Sequence, residues 1–172
     1  MERTDTRDMG KDGKQVISFT VGEEEYGVEL QHVKEVIRMS DITRLPDVPT
    51  YVRGLINLRG LVIPIIDLRE KMGLESAEAT SLTRIIVVEV KSTLVGMVVD
   101  SASQVLRLQA DELEPPPVAL GGIAQEYITG VGKLDRGLVI LMDVGRLLAR
   151  EEFAELSSLA QTQDMAEPAL SR

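Results

Sequence analysis

Polar and apolar positions alternate from Gln15 to Val21 and place Ile17, Phe19 and Val21 on one face, the period-two pattern of a strand. Gly22-Glu23-Glu24-Glu25 reads as a turn and Tyr26 to Leu30 as the returning strand. Gln31 to Met39 fits either a helix, through Val33 and Ile37, or a short turn running into a strand. Pro46 and Asp47-Val48-Pro49 mark a loop. The densest apolar stretch follows, VRGLINLRGLVIPIIDLREKMGL from Val52 to Leu74. Leu55 to Asn57 and Leu61 to Ile66 predict two strands, joined at the turn Asn57-Leu58-Arg59-Gly60. Pro64 cannot donate to a ladder, so the second strand is expected to be an edge or to bulge there. Asp67 predicts the N-cap of a short helix and Gly73 its stop.

A polar linker runs from Glu75 to Ser81, and a second block begins after it. Thr83 to Val90 (TRIIVVEV) predicts a strand buried on both faces, Lys91-Ser92-Thr93 a turn, and Leu94 to Val99 the return. Asp100 is expected to cap a short helical turn before a strand at Val105-Leu106. Asp111 to Gly122, with Pro115-Pro116-Pro117 and Gly121-Gly122, reads as a loop. Tyr127 to Asp143 predicts two more strands. Asp143 then caps a last helix with Val144, Leu147, Leu148, Leu156 and Leu159 on its apolar face. Residues 1–14 show no period and read as a disordered arm, and residues 161–172 as a loose tail.

The two blocks repeat. At an offset of 69 residues Tyr26-Gly27-Val28 falls on Val95-Gly96-Met97, Val36 on Val105 and Pro46 on Pro115. Seven extra residues after Pro115 move the offset to 76, where Tyr51-Val52-Arg53-Gly54-Leu55 meets Tyr127-Ile128-Thr129-Gly130-Val131 and Asp67 meets Asp143. The pattern implies two related β units, each a hairpin, a crossover and a second hairpin ending in a helix. Units of this size are near the smallest that close a barrel, and two would share an aliphatic seam.

Composition narrows the chemistry. The 172 residues suit one domain, or two small subdomains sharing a core, and 44% apolar content is enough to fill it. With no Trp and two Phe, that core must be Val, Ile, Leu and Met. The absence of Cys excludes disulfides and thiolate chemistry and fits a reducing compartment. A net charge of −9 disfavours phosphate backbones and anionic lipid. The N-terminal stretch has no signal-peptide apolar core, and no apolar run approaches the roughly 20 residues of a membrane span. The protein is therefore expected to be soluble and intracellular.

No reacting set of side chains is legible. His32 is the one histidine, too few for a common metal site, and it has no evident carboxylate orienter. The Glu23-Glu24-Glu25 run reads as a solvated turn rather than a metal site. Gly130-Val131-Gly132-Lys133 lacks the Ser or Thr a phosphate loop needs after its Lys. Arg59 stands beside the most apolar part of the chain and is either a solvated hairpin arginine or a planar donor at a recognition surface. This inventory favours a binding module over an enzyme.

The Val52–Leu74 stretch, TLVGMVVDSASQVL and EYITGVGKLDRGLVILMDVGRLL resemble the bacterial chemotaxis coupling family CheW, over about Gln15 to Glu155. The resemblance implies a mainly β fold: two five-stranded barrels of the Src-homology type sharing an apolar core, with short helices and a C-terminal helix. The barrels would lie within residues 15–160, tandem or interleaved, divided near residues 75–82. It implies a non-catalytic adaptor without cofactor or metal. Such an adaptor couples the cytoplasmic tip of methyl-accepting chemotaxis receptors to the regulatory domain of the histidine kinase CheA, with other CheW copies as further array partners. It would be cytoplasmic and recruited to arrays at the inner face of the membrane, with no nucleic-acid partner and no membrane insertion. Carried over, the receptor-binding residues are Val33, Glu35, Gly54, Asn57 and Arg59, and the kinase-binding residues Glu114, Pro117 and Val118. Some family members have a basic residue where Glu114 stands, and the loop here is Pro-rich. The alternatives are a scaffold of the same family in a pathway controlling pili or gene expression and, from another class, a small hydrolase with a convergent acid–base pair.

Overall fold

In the computed structural model, residues 13–116, 124–148, 152 and 154–159 are described. The alternating N-terminal segment forms β1 (Lys14–Val21), which buries Val16, Phe19 and Val21 and pairs antiparallel with β2 (Glu24–Glu29). A single 3-10 turn at Leu30–His32 leads into β3 (Val33–Arg38), which settles the ambiguous segment as a strand. β4 (Val52–Leu58) and β5 (Leu61–Asp67) make the expected hairpin, followed by α1 (Leu68–Lys71). Asp67 caps α1, its carboxylate accepting from the Arg69 N–H at 3.0 Å. Next come β6 (Arg84–Val90), β7 (Thr93–Val99) and β8 (Ser101–Leu108). A 3-10 turn at Ala110–Glu112 and β9 (Leu113–Glu114) occupy part of what reads in sequence as loop. α2 (Ala124–Tyr127), β10 (Ile128–Leu134), β11 (Gly137–Met142) and α3 (Val144–Leu147) follow.

The fold is mainly β, in two sheets, as expected. The first sheet has the order β8-β1-β2-β11-β10-β9 and the second β3-β6-β7-β5-β4. Each sheet is drawn toward closure by the chain crossing from one edge to the other. After β3, Thr43 bridges Leu55 of β4; after β8, β9 pairs with β10.

The repeat is real, but its halves exchange hairpins. β6 and β7 from the second block sit with β3, β4 and β5 of the first, while β1 and β2 sit with β8 to β11. The two parallel joins coincide in register: Ile65 lies opposite Gly96, and Leu141 opposite Gly27. Residues 75–82 are therefore not a boundary between sheets, because β5 and β6 on either side belong to the same one. The glycines at the joins make room for the neighbouring strand. A Cβ on Gly96 would lie 2.5 Å from Ile65 Cδ1, and one on Gly27 3.2 Å from Leu141 Cδ2.

Three cores result. Ile56, Ile63, Ile65, Ile85, Val87 and Val98 fill the second sheet's interior. Val16, Leu108, Val139 and Leu141 fill the first. The largest lies between the sheets and draws on both, with Phe19, Val28, Ile66, Ile86, Val88, Met97, Tyr51, Tyr127 and Met142. The unbroken apolar run of β6 follows from this: Ile85 and Val87 face the barrel interior, Ile86 and Val88 the seam. All four are fully buried, each contributing roughly 1.5–3 kcal/mol.

Three local expectations are corrected. β5 is an interior strand, but its pairing to β7 runs only from Ile65 to Asp67, so Pro64 precedes the stretch where a donor is needed. Asp100 caps no helix; its Oδ2 accepts from the Gly22 N–H at 2.8 Å and from Arg69 Nη1 at 2.6 Å. The last helix is broken, because Leu148 takes an extended conformation after α3 and helix resumes by residues 154–159. Leu147, Leu148 and Leu156 are still buried in the seam, and Lys71 Nζ ties α1 to Glu152 at 2.6 Å. Residues 1–12 of the expected arm and 160–172, including the expected tail, lie outside the described residues; β1 already includes Lys14.

Candidate functional site

The β4–β5 hairpin turns through Arg59 and Gly60, at φ 52° and 89°, as a two-residue turn of primed type requires. Left-handed backbone suits Gly or Asn and costs other residues, arginine included, through the Cβ against the following carbonyl oxygen. Asn57 supports the turn, its Oδ1 accepting from the Gly60 N–H at 2.9 Å. From this tip Arg59 reaches β3, donating from Nη1 to Glu35 Oε1 at 2.7 Å and from Nη2 to Oε2 at 2.5 Å. β3 and β4 are the two edges of the second sheet. The bidentate pair therefore clips the barrel mouth across its closure.

A β-bulge makes this possible. The register of β3 shifts between Val33 and Glu35, so Val33 lies opposite Val88 and Glu35 opposite Val87. Those neighbours face opposite ways along β6, and Val33 packs on the seam core while Glu35 reaches the mouth. There a concavity of about 480 Å³ has Leu58, Leu61, Val87 and Leu94 in its wall, with Lys34 and Glu89 joined at 3.2 Å beside it. Leu61 is 54% exposed, an apolar surface available to a partner.

The Arg59 hydrogen bonds hold the Glu35 carboxyl below the usual carboxylate range, against a smaller upward push from burial. The sign follows. A depressed folded pKa means that the pair supports the fold above the ordinary value of 4.5 and ceases to do so as pH falls through the depressed value. Carboxyl-detected NMR titration should find Glu35 titrating below 4.5 and moving up toward it in Arg59→Ala; an unchanged Glu35 midpoint in the variant would contradict the pairing.

Of the expected receptor-binding residues, the structure brings Glu35, Asn57 and Arg59 together at one mouth. Val33 lies on the same strand but turns to the seam. Gly54 is buried where the barrel closes and offers no contact surface. Of the expected kinase-binding residues, Glu114 is exposed on β9 and accepts from Lys133 Nζ at 2.7 Å. Pro117 and Val118 lie outside the described residues.

Sequence reasoning missed a second clip. Arg136 Nη2 donates to Glu25 Oε2 at 2.5 Å and Nε to Oε1 at 3.2 Å, joining the β10–β11 tip to β2. Glu25 is thus no solvated turn residue, and hydrogen bonding from Arg136 keeps its carboxyl below the usual range. The available signal was an Arg-Gly pair at both hairpin tips, Arg59-Gly60 and Arg136-Gly137. Gly130 to Lys133 lie on β10, and His32 is exposed on its 3-10 turn. Among the described residues no His, Cys, Asp and Glu cluster could hold a metal ion, and no helix is long and apolar enough to cross a membrane.

A family model described as the CheW-like domain matches residues 15–152. The chain is 37% identical over 150 residues to chemotaxis protein CheW of Klebsiella aerogenes, covering 87% of this chain and 90% of that one. It is 34% identical over 141 residues to chemotaxis protein CheW of Bacillus subtilis, covering 82% and 90%. The crystal structure of the scaffolding protein TtCheW from Thermoanaerobacter tengcongensis superposes with a TM-score of 0.73 at 32% identity, covering 78% of this chain and 92% of that one. Two hairpin-exchanged β units, matched in sequence over nearly the whole described chain and in three dimensions to a CheW scaffold, place this protein in the family of CheW-like domains.

Proposed function

We propose that this chain is a non-catalytic chemotaxis adaptor that couples the cytoplasmic tip of chemoreceptors to the regulatory domain of the histidine kinase CheA. Membership of the CheW-like family supports the class of function. The observation that carries the receptor site is Arg59, kept at positive φ beside an apolar concavity and engaged by Glu35 in a bidentate pair. The primed turn itself requires the positive φ, as at Lys91 and Ser92 of the β6–β7 turn; what supports the reading is a guanidinium held at a surface tip on the rim of an apolar concavity. Leu58, Leu61 and Leu94 offer an apolar bed for one face of a receptor helix, and the arginine fixes its register through carbonyls or carboxylates. The kinase contact is assigned to the first sheet's β9 edge at Glu114, with Pro117 and Val118 next in sequence. Individually weak contacts suffice, because array assembly with receptor, kinase and further copies of the adaptor adds them.

The test is Arg59→Asn. Asparagine suits the turn's left-handed backbone, which offsets the loss of the exposed pair with Glu35, so the thermal midpoint is expected to stay level, while affinity for a receptor-tip fragment drops more than tenfold. Wild-type affinity in calorimetric titration would remove Arg59 from the receptor site.

A further inference from the structure

The two barrels are related copies, so each residue at one mouth has a counterpart at the other. The offset of 69 places Leu94 on Glu25, Glu89 on Thr20 and Glu35 on Gln104. The offset of 76 places Leu58 on Leu134 and Leu61 on Gly137. The pairing registers agree. Glu89 lies opposite Leu94 as Thr20 lies opposite Glu25, and Leu58 opposite Leu61 as Leu134 opposite Gly137. The faces agree as well. Two residues after Leu94, a Cβ on Gly96 would meet Ile65, Ile85 and Ile63 of one barrel interior. Two residues after Glu25, a Cβ on Gly27 would meet Val16, Leu141 and Val139 of the other. Alternation along a strand then puts Leu94 and Glu25 at the same inward-facing position of the two mouths.

The residues at these positions give the mouths different chemistry. In the second sheet, Leu58, Leu61 and Leu94 all stand in the wall of the concavity. Glu89 is engaged by Lys34 of β3, and Glu35 draws Arg59 across the closure, so Leu94 stays in the open wall. In the first sheet Gly137 replaces one leucine and Glu25 another, and Gln104 puts no carboxylate on β8. Arg136 follows the charge. It stands next to β11, whose parallel neighbour is β2, and its guanidinium lies on the Glu25 carboxylate. The Glu25 side chain is only 19% exposed, so the arginine covers it rather than water. The first mouth is therefore occupied by the chain's own guanidinium, while the second is left apolar.

We infer that Leu94 is the specificity-determining residue that makes the second barrel, and not its copy, the one that takes a receptor helix. The inference rests on the receptor reading given above and adds to it a single such site per chain and the position that decides which barrel holds it. An aliphatic side chain at position 94 completes a strip with Leu58 and Leu61, against which one face of a helix excludes water. A carboxylate in its place would lie directly opposite Glu89 and share the concavity with Glu35. Like charges facing each other across a strand pair are unfavourable. At the first mouth the residue opposite Glu25 is the neutral Thr20, whose hydroxyl is hydrogen-bonded to that of Ser101 at 2.7 Å. The carboxylate is tolerated there and holds Arg136 in place of a partner.

The experiment titrates the isotopically labelled full chain with a receptor-tip fragment and, separately, with tert-butanol, a small apolar probe that reports on the leucine strip whether or not the fragment binds. Both are expected to shift the amides of Leu58, Leu61 and Leu94 and to leave Glu25, Leu134 and Gly137 in place, with one fragment bound per chain by calorimetry. Leu94→Gln removes apolar surface without adding charge and should weaken the fragment at least tenfold and abolish the tert-butanol shifts. Leu94→Met restores an apolar side chain and should bind the fragment at least fivefold more tightly than Leu94→Gln, which a loss of fold would not reproduce. Glu25→Leu should leave fragment affinity within twofold of wild type. A fragment that shifts nothing while tert-butanol shifts the strip would remove the receptor as occupant and leave the apolar asymmetry of the mouths supported. Two fragments per chain, shifts at both mouths with either titrant, or a wild-type response in Leu94→Gln would overturn the inference.

Discussion

Replacing Gly54 by valine is expected to destabilise the protein by roughly 4 kcal/mol, enough to lower the thermal midpoint by about 10 °C. Gly54 sits at φ 140°, and a Cβ there would lie 2.1 Å from the Thr43 carbonyl oxygen and 2.8 Å from its carbon. That oxygen accepts from the Leu55 N–H at 2.9 Å, and the Thr43 N–H donates back to the Leu55 carbonyl at 2.8 Å. The two hydrogen bonds bring the chain after β3 onto β4. A side chain must push the bridge apart, because its obstacle is backbone rather than the end of a flexible residue. Backbone strain contributes about 1–3 kcal/mol, and two broken backbone hydrogen bonds about 1 kcal/mol each. Urea or thermal denaturation measures this directly, and a wild-type midpoint would refute the closure. Such a variant should also lose receptor binding, but through an opened barrel. The comparison with Arg59→Asn separates the two causes, since only the Gly54 variant is expected to lose stability and affinity together.

Arg53→Ala should cost about 3 kcal/mol, and the loss should be partly recovered in Arg53→Ala/Asp67→Asn. Asp67 is only 2% exposed. Its Oδ2 accepts from Arg53 Nη1 and from Ser76 Oγ, each at 3.1 Å, and its Oδ1 from the Arg69 N–H. Removing the guanidinium leaves a carboxylate in the interior with neutral donors alone, the expensive way to break a buried pair. Asparagine keeps the capping oxygen and removes the charge. The double variant should therefore be more stable than Arg53→Ala. Equal or lower stability of the double variant in urea would show that the cap and the packing, not the charge, set the cost.

Function-bearing residues were legible in proportion to how local their chemistry is. The Asn57–Gly60 turn is visible from its residues, as is the cap at Asp67, because a turn and an N-cap are decided within four positions. The positive φ of Arg59 was not, since nothing in the residue type announces it. Its pairing with Glu35 spans 24 positions and two sheet edges; the resemblance named both residues for receptor binding, and only the structure joined them. Gly54 shows the converse: the resemblance marks it for binding, while the structure buries it in the closure. Arg136 and Glu25 are 111 positions apart, and no local pattern joins them.

By itself the sequence determined most of the strands, leaving β3 open and reading β9 as loop, together with the aliphatic core, the two-fold repeat with its offsets, and the family. Each of these rests on periodicity or on residue type, which are properties of neighbouring positions. Only the tertiary structure decided which hairpin belongs to which sheet. Either partner satisfies the alternation of β1, β2, β6 and β7 equally well, because the two halves are related copies. The exchanged pairing is the one in which Gly27 and Gly96 admit Leu141 and Ile65 at the parallel joins, and in which both faces of β6 are buried at once. That choice is made by packing between residues far apart in the chain.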